Sequence, residues 1–124
     1  MPIQISNSEW EVMRLVWDQA PVPASEIVAQ LQARHDWQAS TIRTLIGRLV
    51  KKRAVRAVRD GKRFLFSARI GKDQCIQKES RSLAERVFGG EPAAMVIHLV
   101  KATRFTPEEL QELRRVLDRK TKDQ

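Results

Sequence analysis

The apolar period of the chain drops abruptly after Arg53, and that change restricts the fold more than any other feature. Over residues 40–52, Ile42, Leu45, Ile46, Leu49 and Val50 recur at i, i+3, i+4, i+7 and i+8, the core-facing stripe of a helix. After Arg53 the period falls to two, with Val55, Ala57 and Arg59 facing one way and Arg56 and Val58 the other. Asp60-Gly61 then supplies a two-residue hairpin turn, and Phe64-Leu65-Phe66 returns as a second strand.

Two helical patterns precede this unit. Ser6 followed by Glu9 reads as a capping box that opens a helix over residues 7–18, with Val12, Met13, Val16 and Trp17 on one face. Ala20-Pro21-Val22-Pro23 stops it, because prolines remove amide donors and push their neighbours toward extended backbone. A short extended link is expected there. Ile27, Val28 and Leu31 mark a second helix over residues 24–34, closed by His35-Asp36-Trp37. Helix, helix, helix, hairpin is the order of a winged helix-turn-helix, which residues 1–70 are expected to form.

From Gly71 onward the chain reads as three helices. Residues 72–88 carry Ile76, Leu83, Val87 and Phe88, with Ser80 and Ala84 in the same stripe, and Gly89-Gly90 ends them. Residues 92–102 are apolar nearly throughout, including Val96 and Val100. Thr106-Pro107-Glu108-Glu109 opens the last helix with an N-cap, a first-turn proline and a capping-box glutamate, and its stripe is Leu110, Leu113 and Leu117. So little chain cannot bury these faces alone, and a second copy about a two-fold axis is the simplest cover. Residues 71–124 are therefore expected to be a dimerisation region that uses Ile76, Leu83, Val87, Val96, Val100, Leu110, Leu113 and Leu117. The expected fold class is mostly α with a small β-hairpin: a winged helix-turn-helix followed by an α-helical dimerisation region.

The placement of charge says what the first region touches. Residues 1–37 carry two basic and five acidic groups, whereas residues 40–66 carry nine basic groups against Asp60 alone, a local charge of +8. Such a concentration suits a polyanion, since cations on phosphates release condensed counterions. The polar face of residues 40–52 places Ser40, Thr41, Arg43 and Thr44 ahead of Arg48, Lys51 and Lys52, which leaves its first half slim enough for a groove. Arg43 is expected to read guanine bidentately, and Thr41 and Thr44 to meet bases or thymine methyl groups. Arg48, Lys51 and Lys52 are assigned to phosphates, and Arg59, Lys62 and Arg63 flank the hairpin tip within reach of phosphate or minor groove. The alternative is a basic module that binds RNA or an acidic protein without an operator.

Other chemistries find little support. The single cysteine, Cys75, has no CxxC or His/Cys cluster around it and reads as a small buried hydrophobe. His35 closes a helix and His98 lies in an apolar run, so both read as structural, and neither a metal site nor a cofactor is expected. Trp17 belongs to a core stripe, while Trp10 and Trp37 stay open between packing and base stacking. No nucleophile, base and orienting acid stand at useful spacing, there is no Gly-rich phosphate loop, and an enzyme is not expected. No apolar run approaches the roughly 18 residues of a membrane span. Met1-Pro2-Ile3-Gln4-Ile5-Ser6 has neither a basic nor an apolar leader segment, so a cytoplasmic address is expected.

Particular stretches resemble a known family. Glu9-Trp10-Glu11-Val12-Met13 with Val16-Trp17, then Ser25-Glu26-Ile27-Val28, and above all residues 41–52, Thr-Ile-Arg-Thr-Leu-Ile-Gly-Arg-Leu-Val-Lys-Lys, look like the BlaI/MecI penicillinase repressors, a family that also contains the CopY copper repressors. The resemblance implies a homodimer with an N-terminal winged helix and a C-terminal dimerisation region, repressing from a palindromic double-stranded DNA operator built on TACA and TGTA. Two departures concern its switch. BlaI and MecI are cut at an Asn-Phe bond where this chain has His98-Leu99, and the CxCxxxxCxC copper site of CopY has no counterpart at the C-terminal end. The resemblance thus leaves the inducer, or a protease acting in its place, unidentified.

Overall fold

The computed structural model describes residues 3–123, so the outermost positions of the 1–70 and 71–124 division and the first two residues of the opening hexapeptide lie outside the described part. The chain divides after Gln77 into two compact units.

In the first unit, α1 (Asn7–Gln19) starts at the capping box read from the sequence: Glu9 N donates to Ser6 Oγ at 3.2 Å and Ser6 N donates to Glu9 Oε1 at 2.8 Å. It buries Val12, Met13 and Val16 completely. Trp17 is half-buried beside them and donates from Nε1 to the Ile70 carbonyl at 3.0 Å. Trp10 lies tilted against Trp17, with centroids 5.7 Å apart, and Trp37 stacks on His35 at 4.1 Å. Both tryptophans left open by the sequence are thus half-buried packing residues.

The link expected to be merely extended is a strand, β1 (Val22–Pro23). It pairs antiparallel with β3 (Arg63–Ala68), Val22 opposite Phe66 and Pro23 opposite Leu65. Burial of Val22 holds it against the sheet. Helix α2 (Ala24–Arg34) follows at once and buries Ile27, Val28 and Leu31.

Helix α3 (Ala39–Lys51) buries Ile42, Leu45, Ile46 and Leu49, the stripe that defined it in the sequence. Its end is unusual. Arg53 adopts φ +66°, its N–H donates to the Val50 carbonyl, and Ala54 N–H reaches back to the Leu49 carbonyl. This is the glycine-type helix stop with arginine in the left-handed position. It delivers Ala54 and Val55 straight into the core, both essentially inaccessible.

Strand β2 (Val55–Asp60) pairs with β3 from Val55↔Ala68 to Asp60↔Arg63, and the sheet order is β1-β3-β2. That register moves the hairpin turn by one residue from the sequence reading: its two central residues are Gly61 and Lys62, not Asp60 and Gly61. Gly61 takes φ +65° and Lys62 does not share it, the pattern of a II′ turn with glycine first. A turn centred on Asp60-Gly61 would have forced Asp60 to positive φ.

The remaining helices begin at residue 72, six positions before the second unit starts, and that unit is helical. Helix α4 (Lys72–Val87) stops one residue earlier than expected, at Gly89 and Gly90, whose φ of +60° and +84° let Gly90 N–H reach the Ala84 carbonyl. Helices α5 (Pro92–Ala102) and α6 (Pro107–Lys122) follow, the latter opened by the Thr106–Glu109 capping box. Ala84 is buried, His98 lies tilted on Phe88 at 5.9 Å, and Leu113 is half-buried. Cys75, expected to be buried, is half-buried. Among the described residues no helix is long and apolar enough to cross a membrane.

Candidate nucleic-acid interface

Helix α3 presents its polar face to solvent because its apolar stripe is committed to the core. At about 100° per residue, Ser40, Thr44, Gly47 and Lys51 lie opposite that stripe. Arg43 flanks them on the side of the hairpin, and Thr41 and Arg48 flank them on the other. All seven are exposed. The Thr44 hydroxyl donates to the Ser40 carbonyl at 2.9 Å, so its proton is held within the helix while its oxygen lone pairs and methyl group stay available outward. Arg43, Arg48 and Lys51 make no ion pair with any described residue, which leaves three cations and a hydroxyl-rich strip open to a ligand.

The hairpin adds a second exposed surface. Arg59 donates from Nε to the Gly61 carbonyl at 3.1 Å and lies over the Phe64 ring, 5.8 Å from its centroid. Arg63 approaches Asp60 at 3.7 Å in an exposed pair, and Lys62 stands in the turn itself. Arg56 is a further exposed cation on β2 that was not assigned to the site. Its signal was in the alternation, which pointed it away from Val55.

Lys52 is placed differently from the other assigned cations. Its Nζ donates to Glu9 Oε1 at 2.5 Å and to the Gln4 carbonyl at 2.9 Å. Glu9 is only 1% exposed, and its Oε2 has no hydrogen-bond partner among the described residues. Burial pushes the Glu9 carboxyl up, but the Lys52 ammonium and the Ser6 amide and hydroxyl hold it below the ordinary carboxylate value. The ammonium that the sequence assigned to phosphate is bonded to α1 instead.

Among the described residues no cluster of three His, Cys, Asp or Glu side chains is placed to hold a metal ion.

The chain matches the penicillinase repressor family over residues 5–119. The chain belongs to the penicillinase repressor family. That family comprises DNA-binding transcriptional regulators rather than enzymes, and two relatives with one solved structure give the extent of the likeness. The methicillin resistance regulatory protein MecI of Mammaliicoccus sciuri is 32% identical over 94% of this chain and 95% of its own. An uncharacterised 16.5 kDa protein of Latilactobacillus sakei is 35% identical over 94% of this chain and 80% of its own. The Bacillus licheniformis BlaI monomer, solved in complex with the blaP half-operator, aligns with a TM-score of 0.53 and 32% identity over 58% of this chain and 89% of that one. As a penicillinase repressor, this chain has α2 and α3 as its helix-turn-helix pair and β2–β3 as its wing.

Proposed function

We propose that this penicillinase repressor acts as a homodimer on a palindromic operator built on TACA and TGTA. Residues 1–70 serve as the reading domain and residues 71–124 as the dimerisation region. The observation that carries the reading is the outward face of α3, where Arg43, Arg48 and Lys51 have no ion-pair partner and surround Ser40, Thr41 and Thr44. Inserted into a major groove, Arg43 and the threonines meet base edges. Arg48 and Lys51, with Arg59, Lys62 and Arg63 of the wing, meet phosphates. Lys52 is left out of this set because it is bonded to Glu9.

The homodimer is supported by apolar side chains that their own chain leaves uncovered. Ile76, Leu83, Val87, Val96, Val100, Leu110 and Leu117 are between 39% and 61% exposed, and Ile97, Leu99 and Val116 join them. Helices left so uncovered call for a partner.

Selection of bound duplexes from a random pool tests the whole reading. The expected result is a palindrome of two half-sites. A preference for RNA, or binding to acidic protein in place of DNA, would instead support the basic interaction module.

A further inference from the structure

Between α3 and the wing lies a groove of about 370 Å³, walled by Ala24, Ile46, Val50, Ala57, Phe64 and Phe66, with Arg43 and Gly47 completing it. Its shape follows from the residues. Phe64 and Phe66 stand two apart on β3 and share a sheet face with Ala57, the cross-strand partner of Phe66. Small side chains at Ala24 and Ala57 leave space between the rings and the helix. Gly47 contributes no side chain, and a Cβ there would meet nothing within 4 Å. Phe64 is 49% exposed, a large apolar ring held in water by its own fold.

Apart from Arg43 the walls are apolar or backbone, and the Arg43 guanidinium has no hydrogen bond or ion pair with any described residue. That combination selects among small molecules. The walls call for an apolar body, and the unpaired Arg43 guanidinium calls for an anion. A flat apolar body with one carboxylate satisfies both demands, because a carboxylate and a guanidinium match in a bidentate pair. The volume falls within the range of small-molecule sites.

We propose that this groove binds a small aromatic carboxylate, with its ring among Phe64, Phe66 and Val50 and its carboxylate on Arg43, and that the bound acid releases DNA. The proposal rests on the repressor reading, in which Arg43 reads a base. One guanidinium cannot serve both ligands, so acid and operator exclude each other reciprocally. Release then begins on the reading surface and needs no change in the dimer.

The test titrates naphthalene-2-carboxylate, with naphthalene-2-carboxamide as its neutral control, into the full-length isotope-labelled protein. Expected are saturable shifts at the amides of Gly47, Ala57, Phe64 and Phe66, with the acid binding about tenfold or more tighter than the amide. Arg43→Met should abolish that preference. Ala57→Phe should abolish binding, since its ring fills the groove from a solvent-facing strand position that suits aromatics. The acid should also weaken binding of a selected duplex in proportion to its occupancy. Absence of shifts at those amides at millimolar acid, or equal binding of acid and amide, overturns the site. Shifts there with unchanged duplex affinity overturn the switch. Duplex titration without the acid reads the repressor assignment separately: a chain that binds the acid but no duplex supports the site and overturns the repressor reading.

Discussion

Lys52 at the end of α3 and Glu9 in the first turns of α1 form a direct ion pair of 2.5 Å in which the carboxylate is buried and the ammonium half covered. Because Ser6 bonds to the same carboxylate oxygen, one atom of Glu9 caps α1 and anchors α3.

Removing the ammonium should therefore cost more than removing a surface charge. Lys52→Met is expected to destabilise the fold by roughly 1–3 kcal/mol in urea unfolding, less than a fully buried pair would lose because the Lys52 side chain is 37% exposed. Lys51→Met should change stability by no more than about 0.5 kcal/mol. Equal effects of the two would show that the Glu9 pair contributes nothing.

The same pair predicts acid sensitivity. The folded state holds the Glu9 carboxyl below its ordinary value of 4.5, so its ionised form favours folding. This stabilisation is complete above that value and is lost as pH falls through the depressed folded one. Urea midpoints of the wild type should drop over that acidic window, and Glu9→Gln should drop less. A parallel decline in both would assign the acid sensitivity to other carboxylates.

On DNA, Arg43 and Lys51 should separate. Arg43→Ala is expected to weaken the selected operator by about 1–3 kcal/mol and to relax preference at one base position per half-site. Lys51→Ala should weaken all duplexes alike and lower the salt slope by about one. Titrations at several salt concentrations on operator and random duplex distinguish the two, and matching behaviour would reverse the assignments.

For the proposed dimer, Leu117 is a cleaner probe than Leu113. Leu117 is 59% exposed within its own chain, whereas Leu113 is already half-buried and its loss would disturb the protomer. Leu117→Asp should give a folded monomer in sedimentation with weakened operator binding, since an unpaired carboxylate is costly to desolvate in an apolar interface. A Leu117→Asp protein that stays a tight dimer would move the interface away from α6.

Arg53 supplies a prediction of opposite sign. A left-handed backbone costs an L-residue roughly 1–2 kcal/mol and glycine almost nothing, although glycine loses more freedom on folding. Arg53→Gly should accordingly stabilise the fold by up to about 1 kcal/mol in thermal unfolding. A clear loss would mean that the arginine side chain contributes more than its backbone costs.

What could be read from the sequence was local. Ser6 with Glu9 and Thr106 with Glu109 announce their helices within four residues, and the α3 stripe declares its buried side by spacing alone. The hairpin was legible as a hairpin, but its register depended on which residue accepts positive φ, and Asp60-Gly61 and Gly61-Lys62 differ by one step. The role of Lys52 was hidden because its partner lies 43 positions away, and no local pattern marks a cation as bonded inward. The bond from Trp17 to Ile70, 53 positions apart, was invisible for the same reason. The α3–wing groove was hidden likewise, since it needs Ile46 and Val50 of the helix set opposite Ala57 and Phe66 of the sheet.

Strand β2 lies at the margin of the three-stranded sheet, with β3 as its one strand neighbour among the described residues. Its free side is a row of peptide groups of the kind onto which a strand from another molecule can dock, and exposed Val58 makes the invitation stronger. Arg56 and Arg59 lie along that margin, so two approaching copies would press like charges together. At the other margin β1 is two residues long and one of them is proline, too short and too poor in donors to template anything. A hairpin charged for nucleic acid thereby also protects the protein, in crowded solution, from stacking edge to edge into fibres.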